Sequence, residues 1–215
     1  MNKKFEHLRK NYTANTLDES NTPDAPLPLF LQWFDEVTAA GGVEEVNAMT
    51  LSTVNADGSV QGRVVLLKGN IDDSFVFYTN YESQKSKALL AHPKVSLSFF
   101  WPNLERQVLI SGVAQKTTVA VSDAYFASRP RGSQLGAHVS PQSKAINSRT
   151  VLEERLEVLT QKFEGKDIPR PEHWGGIAVE PKRIEFWQGR PNRLHDRIVY
   201  VRSENNTWTR QRLAP

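Results

Sequence analysis

Cations and aromatic rings recur in this chain at spacings that would let them converge on small anions. The sharpest run is Arg193-Leu-His195-Asp-Arg197. In an extended segment alternate side chains share a face, so Arg193, His195 and Arg197 project together and Leu194 points the other way. Three such groups repel one another unless an anion or an electron-rich ring lies between them. A solvated strand edge with carboxylate partners satisfies the same pattern. Trp187, just upstream of a Gly-Pro-containing loop, favours a ligand site. Tyr125 and Arg129 stand four apart at the end of a predicted helix, hence on one face, with Ser133 in the turn after Pro130. Phenol, guanidinium and hydroxyl are donor types that hold a phosphate, the arginine in bidentate fashion. Ser83-Gln84-Lys85 opens another helix, where free amides and the dipole attract an anion. A capping serine and an exposed lysine explain that segment equally well.

Arg63-Val64-Val65-Leu66-Leu67-Lys68 is a predicted strand with a cation at each end. By parity Arg63 and Lys68 face opposite sides, so a flat strand cannot aim both at one point. Either the strand is bulged, or the two cations serve different ligand groups, or they are the polar ends of a core strand. Two phosphate-like places without a nucleotide loop suggest two phosphorylated small molecules bound side by side.

What is missing narrows the chemistry. With no cysteine, disulfides, thiolate nucleophiles, zinc fingers and Cys-ligated clusters are excluded. There is no Gly-x-Gly-x-x-Gly and no Walker-type loop. Gly132-Ser-Gln-Leu-Gly136 carries its serine one place too early for a nucleophile elbow. The five histidines show no ligand spacing, so no metal site is expected. The 215 residues carry 27 basic and 24 acidic side chains, a net charge of 27 − 24 = +3, spread without a concentrated basic face. That balance argues against a nucleic-acid partner. Hydrophobic residues make up 39% and charged ones 24%, as in an ordinary soluble globule. No apolar run approaches the ~18 residues of a membrane span, and Met1-Asn-Lys-Lys-Phe-Glu-His7 does not read as a secretory signal. A cytoplasmic protein is the expectation.

The elements that must position these groups follow from periodicity. Residues 1–25 are polar, end in Pro23-Asp-Ala-Pro26, and read as a mobile arm; residues 26–215 read as one domain. Leu27–Ala39 has helical spacing and is stopped by Gly41-Gly42. Strands are predicted at 49–54, 60–68, 75–79, 94–100, 107–115, 177–180, 183–188, 197–202 and 207–213, with turns at 55–58 and 70–74. Short helices are predicted from Ser83 to His92 and over 119–128, a Gly/Ser/Pro-rich loop from Pro130 through Ser143, and a long helix over 148–163 with Leu152, Leu156, Leu159 and Phe163 on one stripe. Antiparallel strands joined by hairpins, with helices inserted, imply a mainly β fold closed or partly closed as a barrel.

The run Ile184-Glu-Phe-Trp-Gln-Gly-Arg-Pro-Asn-Arg-Leu-His-Asp-Arg197 resembles the signature of the pyridoxine/pyridoxamine 5′-phosphate oxidase family. Arg63–Lys68, Phe77-Tyr-Thr79, Leu104-Glu-Arg-Gln107, Ser128-Arg-Pro-Arg131, Gln142-Ser143 and the ending Arg212-Leu-Ala-Pro215 are similar to the family as well, in order from about Leu8 to the C-terminus. The resemblance implies an FMN-binding split β-barrel, antiparallel, working as a homodimer with the FMN cleft shared by both subunits. Arg63 and Lys85 would hold the FMN phosphate, and Val64, Val65, Leu66, Leu67 and Lys68 would line the flavin with their backbone. Tyr78, Thr79, Gln84, Gln107, Gln142, Ser143, Trp187 and Arg197 would complete the cofactor site. Lys68, Tyr125, Arg129 and Ser133 would clamp the substrate phosphate. Arg193 and His195, the implied catalytic pair, would sit over the pyridine ring, with the arm bearing Arg9 and Tyr12 closing over it. Gln84 departs from the family, which often has an arginine there; His138 and Pro141 depart near the Gln142-Ser143 loop. The implied reaction takes pyridoxamine 5′-phosphate or pyridoxine 5′-phosphate to pyridoxal 5′-phosphate by hydride transfer to FMN, with O2 reduced to H2O2 and ammonia released from the amine. A split-barrel flavoprotein with another substrate would lack the Tyr125/Arg129/Ser133 clamp. A nucleic-acid-binding barrel would be colourless, with steeply salt-dependent affinity.

Overall fold

The computed structural model describes residues 7–215; residues 1–6 of the expected arm lie outside the described residues. Helix α1 spans Pro26–Ala40, with a proline at its start, where the missing N–H costs nothing. Gly41 ends it at φ +65°, a conformation a side chain disfavours. The strands are β1 (Ala48–Val54), β2 (Val60–Leu66), β3 (Gly69–Ile71), β4 (Ser74–Asn80), β5 (Lys94–Trp101), β6 (Arg106–Lys116), β7 (Trp174–Gln188), β8 (Asp196–Arg202) and β9 (Trp208–Leu213). Helices α2 (Gln84–Ala91), α3 (Val119–Ser128), α4 (Arg131–Val139) and α5 (Thr150–Lys162) interrupt them. The sheet runs β2-β1-β5-β6-β7-β4-β3, with β8 paired to β7 and β9 to β8. The pairs β3–β4, β4–β7, β7–β8 and β8–β9 are antiparallel.

The chain divides into two compact units. The first takes in the chain up to Thr50, with Ser96–Ser111 and Pro181–Pro215. Its core sets Phe30 of α1 edge-on to Phe99, and Trp33 edge-on to Phe186, with centroids 5.2 Å apart in each pair. Residues of the expected arm are tied down here: Arg212 grips Glu19 through both carboxylate oxygens, and Leu17 N–H donates to Asp196. The second unit comprises Leu51–Val95 and Gly112–Glu180. In it Phe126, Leu135, Ile168 and Trp174 form a buried cluster.

Five readings from the sequence need correction. The stretch taken as a loop from Pro130 to Ser143 contains α4. Its Leu135 and Val139, four apart, are buried, and that burial outweighs the poor helix propensity of its glycines and serine. Strands 177–180 and 183–188 are one strand, β7; Pro181 falls between residues 174–179, which pair with β4, and 183–188, which pair with β8, so neither ladder needs its missing N–H. The turn at 70–74 shrinks to Asp72-Asp73, both at positive φ, as a two-residue hairpin demands, and Gly69–Ile71 becomes β3. Strand β2 ends at Leu66, short of Lys68, whose N–H donates to Val76 O at 2.8 Å. The parity conflict between Arg63 and Lys68 therefore does not arise. Ser83 does precede α2, but its hydroxyl donates to Asn80 O rather than capping the helix.

Candidate active site

The second unit contains a cavity of about 460 Å³ lined by most of the residues singled out there: Val64, Val65, Leu66, Lys68, Tyr78, Thr79, Lys85, Tyr125, Arg129, Ser133 and Gln142. The end of β2 supplies the apolar wall, β4 the Tyr78-Thr79 pair, α2 the lysine, and the α3–α4 corner the tyrosine, arginine and serine. Tyr78 and Tyr125 stack at 3.7 Å, and Trp174 lies parallel to both. Arg129 sits 4.5 Å over the Trp174 ring, and its Nη1 is buried with no hydrogen-bond partner. Burial lowers the Arg129 pKa from its ordinary value, against a pull upward from Tyr125, while burial raises those of Tyr78 and Tyr125.

Lys85 donates to Gln142 Oε1 at 3.0 Å and to Thr79 and Ser83 hydroxyls at 3.3 Å. Arg63 is not in the lining; it donates to Leu51 O at 3.0 Å and Thr53 Oγ1 at 2.7 Å. Burial, then the charge of Arg63, push the Lys85 ammonium below its usual pKa. Every hydrogen-bond acceptor around Arg63 and Lys85 is neutral. Among the described residues no carboxylate pairs with Arg63, Lys85 or Arg129. Cations partly desolvated without a counterion are poised for an anion. Leu67 is buried away from the cavity. Gln84 and Ser143 line a neighbouring cavity with Gln142, Lys87 and Lys144.

The first unit brings together a second set. Arg9, Tyr12, Trp187, Arg193 and His195 line a cavity of about 650 Å³. The 193–197 segment is not extended throughout: Asn192 and Arg193 have positive φ, in a single 3₁₀ turn before β8. Arg193 and His195 share the cavity, while Arg197, in β8, does not line it. Arg197 instead donates to Glu185 Oε1 at 2.7 Å and to Ala214 O at 2.9 Å. Burial works to raise the Glu185 carboxyl, but bonds from Arg197 and Arg183 hold it below the ordinary range. Arg197 thus has the carboxylate partner of a strand edge, while Arg193 and His195 line the cavity. Burial, then Arg193, lower the His195 pKa against a smaller opposing effect of Asp196. Gln107 is set apart, donating to Ser98 Oγ at 3.4 Å.

Sequence reasoning missed Trp174, whose ring supports Arg129, and Glu105, Arg190 and Asp196, which hold the segments around His195. Glu105, Arg190 and Asp196 lay within quoted motifs but had no assigned task; Trp174 carries no signal beyond its residue type. Among the described residues no cluster of His, Cys, Asp and Glu could hold a metal ion, and no helix is long and apolar enough to cross a membrane.

Comparison with known proteins gives the family and the fold. Residues 34–163 match the family model described as pyridoxamine 5′-phosphate oxidase, and residues 174–215 match the pyridoxine 5′-phosphate oxidase C-terminal dimerisation region. A Flavobacterium johnsoniae protein named pyridoxine/pyridoxamine 5′-phosphate oxidase is 57% identical over 208 residues, 97% of either chain. A Leptospira interrogans protein of the same name is 50% identical over 215 residues, the whole of both. Among solved structures, PhzG from Burkholderia lata 383, in complex with tetrahydrophenazine-1-carboxylic acid, superposes with a TM-score of 0.87 at 27% identity, covering 94% of this chain and 99% of that one. A pyridoxamine 5′-phosphate oxidase-related, FMN binding protein from Nostoc punctiforme shares the fold at a TM-score of 0.71 and 15% identity, covering 90% of this chain and 100% of its own. The fold is that of the split β-barrels expected from the sequence, mainly antiparallel β with inserted helices. With both family models matched in order and half or more of the residues identical to those of full-length relatives, the chain belongs to the pyridoxine/pyridoxamine 5′-phosphate oxidase family.

Proposed function

We propose that this chain is an FMN-dependent oxidase that converts pyridoxamine 5′-phosphate or pyridoxine 5′-phosphate to pyridoxal 5′-phosphate, reducing O2 to H2O2. The observation that carries the reading is the set of cations without carboxylate partners, Arg63, Lys85 and Arg129, the last two lining one cavity beside a stack of aromatic rings. FMN fits these residues: Lys85 and Arg63 offer charge to its phosphate, and Val64, Val65 and Leu66 provide an apolar edge for the ring system. When bound, FMN supplies the two-electron redox chemistry that no side chain here can supply.

The chain's own residues bind and orient. The orphaned Nη1 of Arg129 takes a phosphate oxygen of the substrate, with Lys68, Tyr125 and Ser133 on the others. That grip is remote from the reacting carbon, so its binding energy fixes the ring rather than the bond being broken. Arg193 and His195 orient the pyridine ring and stabilise charge on its phenolic oxygen or on the departing substituent. Arg9 and Tyr12 cover it. Thr79, Gln142 and Tyr78 line the cofactor side, with Gln84, Gln107, Ser143, Trp187 and Arg197 completing it across a homodimer whose FMN site both subunits share. The C-terminal match to a dimerisation region supports that assembly. The same reading puts the enzyme in the cytoplasm, as a single FMN-binding domain behind an N-terminal arm. The protein is purified, its visible spectrum is recorded, and peroxide is measured after adding pyridoxamine 5′-phosphate. A yellow protein releasing peroxide supports the assignment; a colourless one that takes up no added FMN refutes it.

A further inference from the structure

Glu105 is a buried carboxylate with no part in the chemistry above, being only 4% exposed in the loop between β5 and β6. Its Oε2 accepts the main-chain N–H groups of Thr13 at 2.8 Å and Ala14 at 2.9 Å, and its Oε1 pairs with Lys10 Nζ at 2.9 Å. Burial alone would raise its pKa; Lys10 and the two amides hold the carboxyl below the ordinary range, so it stays charged. The same residue holds the opposite wall through its backbone, since its carbonyl accepts Gly189 N–H at 2.8 Å, two residues after Trp187. Glu105 has φ +58°, a conformation that persists for a non-glycine only where the surroundings hold it. Between these two grips lies Tyr12, edge-on to Trp187 at 5.6 Å and to His195 at 5.7 Å. The approach is so close that a Cβ on Gly189 would lie 2.7 Å from Tyr12 Cγ.

We propose that Glu105 is a positioning residue that seats the Arg9–Tyr12 segment over the Trp187–His195 cavity, and so sets the affinity for the phosphorylated substrate. This rests on the oxidase reading. Glu105 touches neither substrate nor cofactor; it acts through the arm.

The test compares Glu105→Ala and Glu105→Gln in the wild-type protein and in an Arg9→Ala/Tyr12→Ala background. It reads kcat, KM for pyridoxamine 5′-phosphate, flavin content and the rate of tryptic cleavage after Lys10. In the wild-type background Glu105→Ala is expected to raise KM about tenfold, to move kcat less than about threefold and to leave flavin content unchanged. Cleavage after Lys10 should quicken by about tenfold, because a released segment opens more often. Glu105→Gln keeps an acceptor for the amides but loses the negative charge that pairs with Lys10, and falls between. In the Arg9→Ala/Tyr12→Ala background Glu105→Ala should change KM less than about twofold. Equal effects in both backgrounds, or unchanged KM and cleavage, overturn the proposal. So does wild-type behaviour of Glu105→Gln in both readouts if Glu105→Ala fails to fold. If the wild-type protein shows neither flavin nor peroxide, the oxidase reading has failed on its own, and the cleavage rates still decide whether Glu105 seats the arm.

Discussion

The main-chain amide of Arg190 donates to Nδ1 of His195 across 3.1 Å. That bond makes Nδ1 an acceptor and leaves the proton of the neutral ring on Nε2. Burial and the nearby Arg193 push the His195 pKa below 6.5, so the neutral ring prevails at pH 7. A depressed histidine pKa means that the unfolded chain binds the proton more readily; this group's contribution to stability is therefore full above pH 6.5 and is lost as pH falls from 6.5 through the folded value. The pH profile of kcat/KM should show an acid limb below pH 6.5 that His195→Gln abolishes. An unaltered limb in the variant places the titration elsewhere.

Arg129 is the second prediction. Its unpartnered Nη1 should gain a charge-assisted bond to the substrate phosphate, worth roughly 1.5–3 kcal/mol, or about 10- to 150-fold in affinity. Arg129→Ala should weaken pyridoxamine 5′-phosphate by that amount while leaving the weak binding of unphosphorylated pyridoxamine nearly unchanged. Equal losses for both ligands would remove the phosphate from this site.

Lys85 and Arg63 make the ligand-free cavity unfavourable to its own charge. Because the Lys85 pKa lies below 10.5, the cost of its ammonium is fully present below the folded value and disappears as pH rises towards 10.5. Lys85→Met should therefore unfold at the same or a higher temperature than the wild-type apoprotein, yet lose FMN affinity by about tenfold or more. Thermal melts with and without FMN read both effects; a variant that keeps full FMN affinity contradicts the phosphate assignment.

Gly189 supplies the fourth. It has no positive φ that would penalise a side chain, so the obstacle to alanine there is the Tyr12 ring and the Glu105 side chain. Gly189→Ala should displace the arm and raise KM by about threefold to tenfold, with flavin content retained. Steady-state kinetics and the flavin spectrum of the same preparation check it.

Much of this was legible in the residues, and what was not has physical causes. Helices α1, α3 and α5 and most of the strands follow local pattern; in α1 burial agrees with it, whereas α5 forms without a buried residue. Helix α4 does not, because two buried side chains, Leu135 and Val139, determine it rather than propensity. The Tyr125/Arg129/Ser133 grouping holds because both helices turn their facing ends to one cavity. The Arg193–Arg197 alternation fails at Arg197, whose guanidinium is taken by Glu185 and the Ala214 carbonyl, partners that alternation within 193–197 does not reveal. Glu105 was invisible for another reason: its partners lie more than ninety positions away along the chain.

The most direct measurement is the visible absorbance of the FMN-loaded protein after pyridoxamine 5′-phosphate is added in the absence of oxygen. The flavin band should bleach with formation of one equivalent of pyridoxal 5′-phosphate, then return on admission of air with release of peroxide. An FMN-loaded protein that binds pyridoxamine 5′-phosphate and keeps its oxidised spectrum would contradict the proposed oxidase.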